Sequence, residues 1–193
     1  MSGKKRKTFE FRVVAGKLKG ARITVPDLGI TRPPLTRLRR AIFDFLKPYL
    51  NGTRYLDLFS GTGSYLFEAV SRGTEKAVGI ELEPLLASAI NDIAEQYGVD
   101  KKLLCHCEDV FDAIKRLEPN GELFDVIMMA PPQYQGMIDK TLSALGEHPL
   151  LSKDGIIVCQ HDTSETKKID FHNFPVLQQR KYGNTTFSIL EQR

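Results

Sequence analysis

Arg54-Tyr55-Leu56-Asp57-Leu58-Phe59-Ser60-Gly61-Thr62-Gly63 is the stretch that decides the fold. A short apolar run, a turn bracketed by two glycines, and then Leu66, Phe67 and Val70 at helical spacing predict a strand, a tight loop and a helix stopped at Gly73. Glycines at 61 and 63 let the backbone turn sharply and come close to a ligand. Gly61-Thr62-Gly63-Ser64-Tyr65-Leu66 meets only half of the dinucleotide-binding fingerprint, because Leu66 stands at the third glycine position. Taken alone, such a loop is equally well a plain structural turn, so its surroundings have to decide.

Towards the C-terminus the strand–helix unit repeats. Strands are predicted over 76–81, 103–107, 124–129 and 155–159, with helices over 84–97, 110–117 and 137–145 between them. Pro84 suits a first helical turn, and Gly98 stands just past a helix end. The runs 177–182 and 185–190 flank Gly183-Asn184 and form a hairpin signal. Towards the N-terminus, Phe11 to Val25 divides into two short strands around Gly16-Lys17-Leu18-Lys19-Gly20. A proline-rich loop over 26–34 follows, then a helix that Thr36 can cap, carrying Leu38, Ile42, Phe45 and Leu46. The fold class is therefore α/β: a mostly parallel, doubly wound Rossmann-like sheet with right-handed crossovers. It gains a C-terminal antiparallel hairpin and a small N-terminal β-hairpin plus helix. The expected organisation is a basic tail over 1–10, an extension over 11–50 and the main domain over 51–193.

The 193 residues carry a net charge of +3, which hides an asymmetry. Residues 1–40 hold 12 Lys/Arg against 2 Asp/Glu, a net of +10, whereas residues 41–193 hold 15 against 22, a net of −7. A basic block on an acidic body points to a polyanionic partner, with Lys17, Lys19, Arg22, Arg32, Arg37, Arg39 and Arg40 as the candidate contacts. No run approaches the roughly 18 apolar residues of a membrane helix, and the basic start leads into no signal-peptide core. No membrane association is expected, and the chain is expected to be a cytoplasmic monomer. Cys105, Cys107 and Cys159 form no disulfide framework and fit a reducing compartment. On a strand, Cys105 and Cys107 face away from His106, so they are expected to be buried strand cysteines, with no metal site.

In such sheets ligands bind beyond the carboxyl ends of the strands. Asp57, Glu81 and Asp109 stand at three successive ends. Glu81, 18 residues after Gly63, can accept both hydroxyls of a ribose. Asp109 can accept from an adenine amino group, with the Val110 N–H offered to the ring. Singly, each carboxylate could as well cap a helix. Beyond the fourth strand of the repeat lies Ala130-Pro131-Pro132-Gln133-Tyr134. Its prolines fix the backbone and keep free carbonyl acceptors, and the aromatic could stack on a base.

These segments resemble the bacterial family of 16S rRNA guanine-N2 methyltransferases known as RsmD, within the class I S-adenosylmethionine-dependent enzymes. The resemblance runs from Phe11 to Leu190. It is carried by Arg12-Val13-Val14-Ala15-Gly16-Lys17-Leu18-Lys19-Gly20, Thr31-Arg32-Pro33, Arg37-Leu38-Arg39, Ala41-Ile42-Phe43, Asp57 to Gly63 and Tyr182-Gly183-Asn184-Thr185. It implies S-adenosylmethionine as cofactor. Asp57 with Ser60, Gly61, Thr62 and Gly63 would serve its methionine part, Glu81 the ribose, and Asp109 and Val110 the adenine, with Phe59 and Leu82 as further cofactor contacts. It implies rRNA or the small ribosomal subunit as partner. The family's strand-end motif is Asp or Asn, Pro, Pro, then an aromatic; here Ala130 replaces the acid and Gln133 the aromatic, with Tyr134 one place later. Arg40 stands where the family usually has Glu. In the family logic the acid and the following proline carbonyl accept the two hydrogens of the target amine. Gln133 is then the expected substitute acceptor and Tyr134 the expected stacking group. The alternative is a catalytically weakened homologue acting as an RNA-binding or ribosome-assembly module. Methylation of another substrate and nicotinamide-dependent redox chemistry are the remaining readings.

Overall fold

A computed structural model describes residues 7–30 and 35–192. Two strands, β1 (Thr8–Arg12) and β2 (Arg22–Pro26), form an antiparallel hairpin, followed by helix α1 (Thr36–Leu46) and a 3-10 turn over Lys47–Tyr49. Then come β3 (Arg54–Asp57), α2 (Ser64–Ser71), β4 (Lys76–Glu81), α3 (Pro84–Gln96), β5 (Leu103–Cys107), α4 (Val110–Leu117), β6 (Phe124–Met129) and α5 (Met137–Glu147). The chain closes with β7 (Leu151–Asp162), β8 (Val176–Tyr182) and β9 (Thr185–Glu191). The main sheet has the order β5-β4-β3-β6-β7-β9-β8. The strands from β5 to β7 are parallel, and β9 runs antiparallel to both β7 and β8. The predicted Rossmann-like architecture is the one found.

Alternation along the strands builds two cores. Tyr55, Ala77, Val126, Met128, Ile156 and Val158 face α1, α2, α3 and the hairpin. Leu56, Val78, Ile127, Met129, Ile157 and Cys159 face α4 and α5. Phe11, Val13, Ile23 and Val25 of the hairpin are buried in the first core, so the N-terminal segment packs as part of the same body as α2 and α3. At the hairpin turn Gly16 has φ +86°, and a Cβ there would lie 1.9 Å from the Ser71 carbonyl oxygen. Only glycine lets the turn dock on the end of α2, where Lys17 N–H donates to that oxygen at 2.7 Å.

Three expectations need correction. The tail does not extend to residue 10, because Thr8–Arg12 is a strand paired with β2; residues 1–6 lie outside the described residues. Thr36 is the first residue of α1 rather than its cap; Leu35 holds the cap position and makes no side-chain cap bond. Cys107 is exposed while Cys105 and Cys159 are buried, because β5 is an edge strand whose last residue reaches the sheet rim. Among the described residues no helix is long and apolar enough to cross a membrane, and no cluster of His, Cys, Asp or Glu is placed to hold a metal ion.

Candidate active site

Sheet order reverses direction between β3 and β6, and a cleft of about 740 Å³ opens there beyond the strand carboxyl ends. Its floor is the loop after β3. Phe59, Ser60, Gly61 and Thr62 line it, while Asp57 and Gly63 stand behind the lining. Gly63, at φ +73°, starts α2; a Cβ there would lie 2.8 Å from Ile90 Cγ1, so its smallness serves the approach of α2 to α3. Asp57 is fully buried beneath the loop. Its Oδ1 accepts the Phe59 N–H at 3.3 Å, and Oδ2 has no partner. Burial pushes this carboxyl up to about 7, against the pull of the Phe59 N–H, with nearby Glu81 adding to the rise.

One wall comes from β4 and α3. Glu81 is half-buried; its Oε2 accepts the Gly61 N–H at 2.6 Å and its Oε1 the Glu83 N–H at 2.9 Å. Desolvation raises its pKa, offset by those backbone donors. Leu82 projects beside it, 69% exposed on the rim of the cleft. From the end of β5, Asp109 caps α4 by accepting the Phe111 N–H at 2.8 Å, and Val110 follows on the lining. The cap reading and the ligand reading of Asp109 therefore coexist: one carboxylate oxygen is engaged and the residue still faces the cleft.

The opposite wall is Ala130, Pro131, Pro132 and Gln133 beyond β6. Tyr134 is not part of it. Its backbone adopts φ +62°, its N–H donates to Glu165 Oε1 at 3.0 Å, and its hydroxyl faces Asp162 and Ser164. The ring is thereby turned to a smaller neighbouring pocket of about 280 Å³, which corrects the expectation that it stacks over this cleft. Among the lining residues that were not expected, Tyr65 on α2 and Gln160 on β7 face each other through polar side chains across the inner end of the cleft. The strand-end rule points to Gln160, which follows the predicted strand 155–159 and the last parallel pair Met129↔Cys159, although β7 itself continues beside β9 to Asp162. Tyr65 carries no such signal.

Of the candidate polyanion contacts, Lys17, Lys19, Arg22, Arg37 and Arg40 are exposed. Arg22 is shared with Glu10 at 3.4 Å. Arg39 is a correction: its side chain is fully buried. Its Nε donates to Glu68 Oε1 at 3.1 Å, and it lies over the Phe11 ring. A guanidinium sealed into the core cannot grip a phosphate. Arg32 lies outside the described residues.

The sequence model of a family described as "Conserved hypothetical protein 95" matches residues 11–191. The chain belongs to this family. The protein is 25% identical over 189 residues to "Ribosomal RNA small subunit methyltransferase D" of Haemophilus influenzae, covering 94% of each chain. It is 24% identical over 161 residues to the protein of the same name from Buchnera aphidicola, covering 83% of each. Among solved structures, a Thermus thermophilus hypothetical protein superposes with a TM-score of 0.79 at 28% identity, covering 94% of this chain and 99% of that one. The resemblance to the RsmD family is borne out, and the fold is that of the class I methyltransferases.

Proposed function

We propose that this family member transfers a methyl group from S-adenosylmethionine to a base amine of ribosomal RNA, and specifically to the exocyclic N2 of a guanine in the small-subunit RNA. The observation that carries the reading is convergence: the loop after β3, Glu81 and Asp109 border one cleft, with the rigid Pro131-Pro132 turn opposite. The cleft's volume lies in the range of small-molecule sites. The residues present suit the cofactor. Glu81 offers ribose hydroxyls the lone pairs that its bonds from the Gly61 and Glu83 N–H groups leave free. Leu82 and Val110 supply apolar contacts for a purine. The buried, unpartnered Oδ2 of Asp57 is an acceptor waiting beneath the loop for a cationic group. S-adenosylmethionine brings an already activated methyl, so the protein's part is positioning and electrostatics. Pro131 offers its backbone carbonyl to one hydrogen of the target amine, and the target base leaves its stack to reach it. Lys17, Lys19, Arg22, Arg37 and Arg40 hold the phosphates, which positions the RNA without reading its bases.

The test is tritium transfer from labelled S-adenosylmethionine to small-subunit rRNA, followed by identification of the labelled nucleoside. N2-methylguanosine is expected. Label on another base would overturn the guanine assignment alone, and no label on any RNA would overturn the activity. Calorimetry complements it: Glu81→Ala should weaken binding of S-adenosylmethionine and of S-adenosylhomocysteine alike, and unchanged affinity would remove Glu81 from the site. Ala130 favours one second reading, in which the chain binds RNA without modifying it. RNA binding with no transfer would select that reading.

A further inference from the structure

The ends of β6 and β7 lie side by side. Met129 and Cys159 are partners in parallel register, so Ala130 and Gln160 come next as neighbours. Alternation puts both on the face of Met128 and Val158, the face that α2 covers. Tyr65, in the first turn of α2, is 5% exposed and donates its hydroxyl to Gln160 Oε1 at 2.5 Å. Its ring is steadied by Phe43, with centroids 5.8 Å apart. A buried phenol needs a partner for its O–H, and here that partner is a side chain on the wall of the cleft. An amide oxygen has two lone pairs. Tyr65 engages one, and the other stays available beside the Ala130 methyl, which offers no acceptor. Gln133, by contrast, is exposed on the outer lip and makes no side-chain hydrogen bond within the described residues.

We propose that Gln160 is the acceptor that Ala130 lacks. Its Oε1, oriented by Tyr65, takes the second hydrogen of the target amine while the Pro131 carbonyl takes the first. This rests on the methyl-transfer reading. The amine lone pair forms the new N–C bond, and the C–S bonding pair stays on sulfur. The proton released from nitrogen goes to water, because an amide oxygen is too weak a base to keep it. Two neutral acceptors aim the lone pair and stabilise the positive charge that grows on nitrogen. Tyr65 acts through Gln160 and is a positioning residue.

Single-turnover transfer to small-subunit rRNA, run beside calorimetry with S-adenosylhomocysteine, tests the assignment. Gln160→Ala should lower the transfer rate by roughly 10²–10³-fold while cofactor affinity stays within about twofold, which also shows that the variant is folded. Tyr65→Phe should lower the single-turnover rate constant by about tenfold, as expected for one neutral hydrogen bond, with the concentration that half-saturates RNA binding unchanged. Ala130→Asp introduced into Gln160→Ala should recover most of the lost rate, because the acceptor returns from the adjacent strand. Transfer by Gln160→Ala at the wild-type rate would overturn the proposal. So would loss of transfer without recovery by Ala130→Asp, or loss confined to Gln133→Ala. A wild-type protein that methylates no RNA would overturn the activity itself, and this role with it.

Discussion

Asp57 holds a proton in the folded protein that the unfolded chain has already lost, because burial lifts its carboxyl from the ordinary 3.8 to about 7. Stability contributed here is therefore full below about pH 4 and falls as pH rises to about 7, levelling off above that. Asp57→Asn should abolish this slope. Its melting temperature relative to wild type should rise between pH 5 and pH 8, and parallel Tm curves for the two proteins would show that the carboxyl is not neutral in the fold. A cofactor ammonium near Oδ2 would favour the charged form, so wild-type affinity should rise with pH up to about 7, and proton release should show as a buffer-dependent binding enthalpy. At this scale much of the candidate site's placement was legible. Asp57, Glu81 and Asp109 could be found because a strand end is a place that periodicity reveals. Gln160 and Tyr65 could not be paired, because their contact depends on how far β7 runs and on which way α2 turns its first residues.

Helix α1 shows where a charge was misread. Arg39 was grouped with its neighbours by sign, yet Arg39, Ile42, Phe43 and Leu46 repeat at the spacing of one helical face, and all four are buried. That spacing was in the sequence; what it lacked was Glu68, a buried acid on α2 that makes the inward position tolerable. Glu68 also accepts the Val14 N–H at 2.6 Å and meets Arg72 at 3.4 Å, while Arg39 donates to the Arg12 carbonyl at 2.6 Å. One ion pair thus fastens α1 and the hairpin to α2. Arg39→Ala leaves Glu68 buried without its main partner and should cost about 3–5 kcal/mol of stability, read as a lower urea midpoint. Arg39→Ala together with Glu68→Ala should lose less than the sum of the two single changes. Strict additivity would mean that the pair is not coupled.

For the molecule as a whole, the charge split survives the loss of Arg39 from the candidate surface. Exposed Lys17, Lys19, Arg22, Arg37 and Arg40 remain on the hairpin and α1. Reversing Lys17, Lys19 and Arg37 to Glu should make the slope of log affinity for rRNA against log salt shallower by roughly 2–3. An unchanged slope would make the block a solvated face. The strand order carries a different consequence, one for synthesis. Strand β9 follows β8 in the chain but lies between it and β7, pairing with β7 from Ile156↔Glu191 to Asp162↔Thr185. On a translating ribosome, β7 emerges with its outer edge bare, and β8 cannot cover it because its place is one strand further out. The nascent chain therefore waits with Ile157 and Val158 on an open edge until residue 191 has cleared the exit tunnel, a window in which edge-to-edge association competes with folding. A chain stopped after Gly183 should be recovered from translation chiefly in the pellet, bound to chaperones or aggregated, whereas release of the intact chain should restore it to the supernatant.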